Sequence, residues 1–237
     1  MDAFSLVLKE SIAILKSFMV KQNFCLIGGN ESPNARDDSL PAVLLIPGYM
    51  CRKGCFIELY TKLVSSGFRV FMHEPSLLTS SIKRHSKQLR EYVLKIKKEY
   101  NLNSLFVIGY SMGGLIARDT FADEWDDEFS FITQLYTIAT PNNGTVMSNF
   151  GIGPCTNEMK PGSSFITILN TRDIFHRRKI TCYSAQLDGI ILTEKNVNLS
   201  GCRAFTIPHV GHMSVIDDQR FHDHIVEDMR QFINRNQ

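Results

Sequence analysis

The stretch from Leu105 to Leu115 constrains this chain more than any other. An apolar run, Leu105 to Ile108, breaks at Gly109; Ser111 follows, and Gly113 and Gly114 lead into a helical pattern. The G-x-S-x-G spacing predicts a sharp strand-to-helix turn that lifts the Ser111 hydroxyl above the end of a sheet. Glycine is needed at 109 and 113 because strand and helix pack there with no room for a Cβ. Ser111 must then hold an unfavourable φ/ψ, strain of the kind stored at functional sites. A helix starting at Met112 places free N–H groups and the positive end of its dipole beside that hydroxyl. Ser111 is therefore a candidate nucleophile.

Around this turn the pattern alternates. Strands are expected at 43–46, 69–73, 105–110, 132–139, 180–184 and 203–207, and helices at 56–66, 79–100, 112–122 and 217–235. Alternation of this kind predicts an α/β domain with a mostly parallel sheet covered by helices on both faces. Ligands of such sheets bind at the carboxyl ends of the strands. Ahead of this catalytic domain (42–237), residues 1–41 read as an N-terminal helix over 3–20 and a polar, turn-rich linker over 28–41. The helix has one apolar face (Phe4, Leu8, Ile12, Leu15, Met19), which suits docking on its own domain or peripheral contact with a membrane surface. The basic face of the 79–100 helix (Lys83, Arg84, Lys87, Arg90, Lys97, Lys98) reads as solvated.

A serine hydroxyl becomes a nucleophile when a base takes its proton and a third group orients the base. His212 lies in a loop at the carboxyl end of strand 203–207, beside its competitor His209; Gly211 favours His212 by giving it a flexible approach. His222 and His224 belong to the last helix and read as surface residues. Asp188 follows strand 180–184, whereas Asp173 precedes it, and Asp217 and Asp218 suit the start of the last helix. The order Ser111, Asp188, His212 is that of α/β-hydrolases, and of neither chymotrypsin-like nor subtilisin-like enzymes. An acyl oxyanion needs two backbone donors. The N–H of Met112 is one, and the loop after strand 43–46, Pro47–Met50, is expected to supply the other, with the Tyr49 N–H the first candidate.

Composition narrows the surroundings of this chemistry. At 237 residues, 43% hydrophobic and 21% charged, the chain suits one globular domain, and a net charge of +2 gives no reason to expect a nucleic-acid partner. The six cysteines (25, 51, 55, 155, 182, 202) form no disulfide framework and no metal site, so no metal or other cofactor is expected. Neither a signal peptide nor a membrane span is evident, which points to the cytoplasm.

Several segments together resemble the bacterial esterase/lipase branch of the α/β-hydrolases, akin to triacylglycerol lipases. They are Leu44–Tyr49, Gly109–Gly114, Thr137–Thr145, Met159–Ser163, Tyr183 through Asp188 to Ile191, and His209–His212. The resemblance runs from about Val43 to the C-terminus. It implies an α/β-hydrolase fold and a serine hydrolase cleaving carboxylic esters of small-molecule or lipid type. Its matching positions coincide with the nucleophile, acid, base and oxyanion donors named above. That family usually has His–Gly where this chain has Pro47–Gly48, a difference that bears on loop geometry and substrate preference. A thioesterase, phospholipase or acyltransferase would carry the same triad, and a catalytically silent binding protein could share the fold. Specificity is expected in the insertion over 141–178, a small lid whose Met147 and Phe150 would contact the acyl chain.

Overall fold

Apolar runs in the sequence become the strands of one sheet. The computed structural model describes residues 29–75, 79–123, 125 and 127–235. Among them, β1 (Ala42–Ile46), β2 (Arg69–Met72), β3 (Leu105–Tyr110), β4 (Ile132–Ile138), β5 (Ile180–Ala185) and β6 (Arg203–Ile207) pair in parallel in the order β2-β1-β3-β4-β5-β6. Central strands β1 and β3 are buried at every residue, which is why neither alternates apolar with polar. Edge strand β6 instead exposes Arg203, Ala204 and Thr206. The chain moves from β1 outward to β2, then returns past β1 to β3, so the order reverses between β1 and β3. A crevice opens at such a reversal, beyond the carboxyl ends of the strands.

Helices α1 (Ile57–Ser65), α2 (Ile82–Glu99), α3 (Met112–Phe121), α4 (Pro154–Glu158), α5 (Ser164–Arg172), α6 (Glu194–Val197) and α7 (Gln219–Arg235) complete the chain order. Helix α2 buries Ile82, Leu89, Val93 and Ile96, one stripe at helical spacing, and starts at Ser81, whose hydroxyl accepts from Arg84 N. Its basic side meets solvent at Lys83, Arg84, Lys87 and Lys98, while Arg90 pairs with Glu128 and the Lys97 ammonium lies 4.3 Å above the Phe131 ring. Helix α7 is capped by the Asp218 carboxylate, which accepts from Phe221 N at 3.2 Å.

Two expectations need correcting. His222 is not a surface residue: it is buried, and its Nε2 lies 2.7 Å from Ile216 O. Burial lowers its pKa and keeps the imidazole neutral. Its neighbour Phe221 is buried too, so the apolar face of α7 is wider than the periodicity suggests. His224 is exposed, as expected, and its Nδ1 lies 2.8 Å from the Tyr183 hydroxyl. The 28–41 stretch is more than a linker from Gly29 onward. Met72 N donates to Asn30 O at 2.7 Å and Val70 N to Ser32 Oγ at 2.8 Å, so these residues cover the open edge of β2. The helix expected over 3–20 lies outside the described residues.

The insertion divides into two parts with different surroundings. Its later part is core: α5 buries Phe165, Ile166 and Leu169. Asp173, at the end of α5, is fully buried and accepts from Arg118 Nε at 2.7 Å and Arg177 Nε at 3.0 Å. Arg118 also reaches Asn142 Oδ1 (3.0 Å) and Asn170 Oδ1 (2.6 Å), so each nitrogen of this buried guanidinium donates a hydrogen bond. The earlier part, a 3-10 turn at Val146–Phe150 followed by α4, lies on the carboxyl side of the sheet.

Candidate active site

The serine turn takes the form its glycines demand. Ser111 sits between β3 and α3 at φ 53°, ψ −124°, a conformation a non-glycine residue adopts only under constraint. Its own N–H donates to Ile138 O at 2.8 Å, which ties the turn to β4. A Cβ on Gly113 would fall 2.2 Å from Ile46 O and 2.6 Å from Pro47 O, so helix α3 can approach the end of β1 only with glycine there. On the facing side, a Cβ on Gly48 would meet the Ser111 Cβ at 2.8 Å. The loop after β1 thus lies directly against the candidate nucleophile, with Tyr49 next in chain.

Two further strand ends complete the constellation. His212 Nε2 is 3.1 Å from Ser111 Oγ, and its Nδ1 is 2.9 Å from Asp188 Oδ2. These partners assign the tautomer: Nδ1–H donates to the carboxylate, leaving Nε2 free to accept the serine proton. Both the His212 and Asp188 side chains are almost fully buried, which shields the relay from water. The second oxygen of Asp188 accepts from Ile190 N and Ile191 N at 2.8 Å each. His209 is placed elsewhere, exposed and at φ 60°, with its N–H donating to Gln186 Oε1 at 2.9 Å.

Tyr110, whose position before the serine attracts no notice in the sequence, supports the candidate base, His212. Its hydroxyl donates to His212 O at 3.0 Å and its ring centroid lies 5.5 Å from the imidazole. Strand alternation says only that Tyr110 is buried, not that it reaches a loop about a hundred residues later. Thr145 is a second residue missed: its hydroxyl donates to Ile190 O at 2.6 Å, bracing the turn that holds Asp188.

A cavity of about 380 Å³ opens from Ser111 and His212. Met147, Phe150 and Met159 of the insertion line it, together with Tyr49, Ile191 and Met213. Met147 and Phe150, the insertion residues expected at the acyl chain, are thus at the cavity, whereas Phe165, Ile166 and Leu169 of the same insertion do not line it. Among the described residues no group of His, Cys, Asp and Glu could hold a metal ion, and no helix is long and apolar enough to cross a membrane.

Residues 74–162, which carry the serine turn and the front of the insertion, match a family described as an alpha/beta hydrolase of unknown function (DUF915). Most of the chain superposes on solved hydrolases. The mature form of the Bacillus licheniformis lipase BlEst2 gives a TM-score of 0.68 at 10% identity, over 81% of this chain and 92% of the lipase. The chain has the α/β-hydrolase fold. Two more solved structures superpose on this chain at similarly low identity. Est1E from Butyrivibrio proteoclasticus has a TM-score of 0.61 at 15% identity, covering 86% of this chain and 93% of Est1E. A monoacylglycerol lipase from Paleococcus ferrophilus has a TM-score of 0.58 at 13% identity, covering 81% and 96%. No curated protein matches this chain.

Proposed function

We propose that this α/β-hydrolase cleaves carboxylic esters with hydrophobic acyl groups through an acyl-serine intermediate. The observation that carries the reading is the continuous relay Asp188–His212–Ser111, with spacings of 2.9 and 3.1 Å, opening into an apolar cavity. Ser111 Oγ attacks the ester carbonyl carbon while His212 Nε2 takes its proton. The carbonyl oxygen, now an anion, is held by the N–H groups of Met112 and Tyr49, at the N-terminus of α3 and in the loop against Ser111. Collapse breaks the bond to the alcohol oxygen, which leaves with the proton from Nε2. Water then repeats the sequence on the acyl-serine, delivering its proton to Nε2 and regenerating the Ser111 hydroxyl as the carboxylic acid departs.

Cavity size and lining indicate the substrate class. A volume of about 380 Å³ is near the lower end of the ~300–1,000 Å³ usual for small-molecule sites, so short and medium acyl chains fit best. The lipase and monoacylglycerol lipase among the structural relatives support an ester substrate. Among the described residues, free thiols at Cys155, Cys182 and Cys202 support action in the reducing cytoplasm.

Labelling with a fluorophosphonate probe tests the reading most directly, because only an activated serine reacts. Wild type should be labelled at Ser111 and hydrolyse p-nitrophenyl butyrate; Ser111→Ala should lose both by several orders of magnitude while keeping its fold. An unlabelled, inactive wild type would mark a silent α/β-hydrolase.

A further inference from the structure

Tyr49 stands where the two demands of an acyl-transfer site meet. Its backbone lies in the turn Gly48–Cys51, closed by Cys51 N donating to Gly48 O at 3.1 Å. Its ring reaches across to the front of the insertion. There the phenol accepts from Ile152 N at 2.8 Å and donates to Ile152 O at 2.9 Å. One hydroxyl thereby satisfies both backbone groups of a residue 103 positions away. The Ile152 side chain is 77% exposed, so the phenol, and not burial, fastens this segment.

Each end of this tie touches a different part of the site. At the insertion end, Phe150 and Gly151 line the cavity beside Ser111, and a Cβ on Gly151 would sit 3.4 Å from the Tyr49 hydroxyl. At the turn end, Met50 is held at φ 54°, a left-handed conformation that disfavours a non-glycine residue by about 1–2 kcal/mol. Strain of that kind persists only where the surroundings over-determine the backbone. The same turn places Gly48 against Ser111 and carries the Tyr49 N–H.

We propose that Tyr49 is a positioning residue that couples the wall of the acyl cavity to the oxyanion turn, so that filling the cavity raises the rate of acyl transfer as well as affinity. This rests on the ester-hydrolase reading above. An acyl chain pressing on Phe150 and Gly151 holds Ile152 against the phenol, and the phenol holds the strained turn with its N–H toward the developing oxyanion. An acetyl group leaves that wall without support, and the donor is less well placed.

Tyr49→Phe keeps the ring and removes the hydroxyl. With kcat and KM measured separately on acetyl, butyryl and octanoyl p-nitrophenyl esters, wild-type kcat should rise with chain length until the cavity is filled. In Tyr49→Phe, kcat on the best wild-type ester should fall about tenfold, less than the full loss of an oxyanion donor. The kcat ratios across the series should flatten to within about twofold, while the trend in KM persists. Ile152→Pro removes the N–H from the other side. The preceding Gly151 is already extended at φ −90°, ψ 175°, as the residue before proline prefers. Ile152→Pro should reproduce the flattened profile, and the double variant should be no worse than the poorer single one.

A uniform loss of kcat at every chain length, an unchanged profile, or losses that multiply in the double variant would overturn the coupling. If wild type hydrolyses the esters and is labelled at Ser111 while Tyr49→Phe keeps the wild-type profile, the coupling alone fails. If wild type does neither, the hydrolase reading fails and the coupling with it.

Discussion

Replacing Asp188 by asparagine tests the relay more sharply than removing the serine, because the structure dictates which way the new amide must face. Oδ1 of Asp188 accepts two backbone N–H groups, from Ile190 and Ile191, at 2.8 Å each. An asparagine that turned its NH2 toward them would set donor against donor and leave both unsatisfied, at about 1–3 kcal/mol apiece. It must therefore keep its carbonyl there and present its NH2 to His212 Nδ1, at the 2.9 Å spacing of the present pair. Nδ1 then accepts, the imidazole proton moves to Nε2, and Nε2 can no longer take the Ser111 proton. A base locked in the wrong tautomer loses on the order of 10⁴ in turnover, about 5 kcal/mol of transition-state stabilisation. Stability should change by less than about 2 kcal/mol, since the shape is conserved and both backbone donors stay paired. The assay is kcat/KM on p-nitrophenyl butyrate, with a urea unfolding curve on the same preparation. An Asp188→Asn variant that folds normally and stays within tenfold of wild type would refute the tautomer argument.

Other consequences can be measured independently. Asp173→Ala leaves the fully buried Arg118 and the nearly buried Arg177 without their carboxylate, and should destabilise the protein by about 3–5 kcal/mol in urea unfolding; a loss below about 1 kcal/mol would contradict a buried charge network. His73 is buried beside His85, and desolvation first, then that neighbour, lowers its pKa from 6.5 to about 4. Between those values the unfolded chain binds a proton that the folded protein does not. Stability should therefore fall as pH drops through that window, by about 3 kcal/mol from this group, and His73→Phe should flatten the dependence of the urea midpoint on pH. An equally steep dependence in the variant would exclude His73 as the source. Met147→Trp, by narrowing the cavity, should shift the preferred acyl length downward while acetyl ester turnover stays near wild type; an unchanged profile would remove Met147 from the acyl wall.

What the sequence determined by itself is whatever depends on neighbours a few residues apart. Strands β1 and β3 are legible because a strand buried on both faces must be apolar throughout, and α2 because its buried stripe recurs at helical spacing. The strained conformation of Ser111 is legible for the same reason, since Gly109 and Gly113 are local demands of one turn. The order Ser111, Asp188, His212 places one polar group beyond each of three strand ends, and a parallel sheet gathers those ends on one side.

Tertiary structure decided the choices between neighbours and the contacts between distant segments. Only the path of the loop after β6 separates His212, beside Ser111, from His209, which is exposed and tied to Gln186. The apolar residues of the insertion look alike in sequence, yet Phe165 and Leu169 pack into the body while Met147 and Phe150 face the cavity. Burial of His222 and the bonds from Tyr110 to His212 and from Tyr49 to Ile152 were equally hidden. Periodicity records which face of an element meets the core, but not which distant side chain it meets there. That partner is selected only when the chain closes on itself and each buried polar group must find a hydrogen bond within reach.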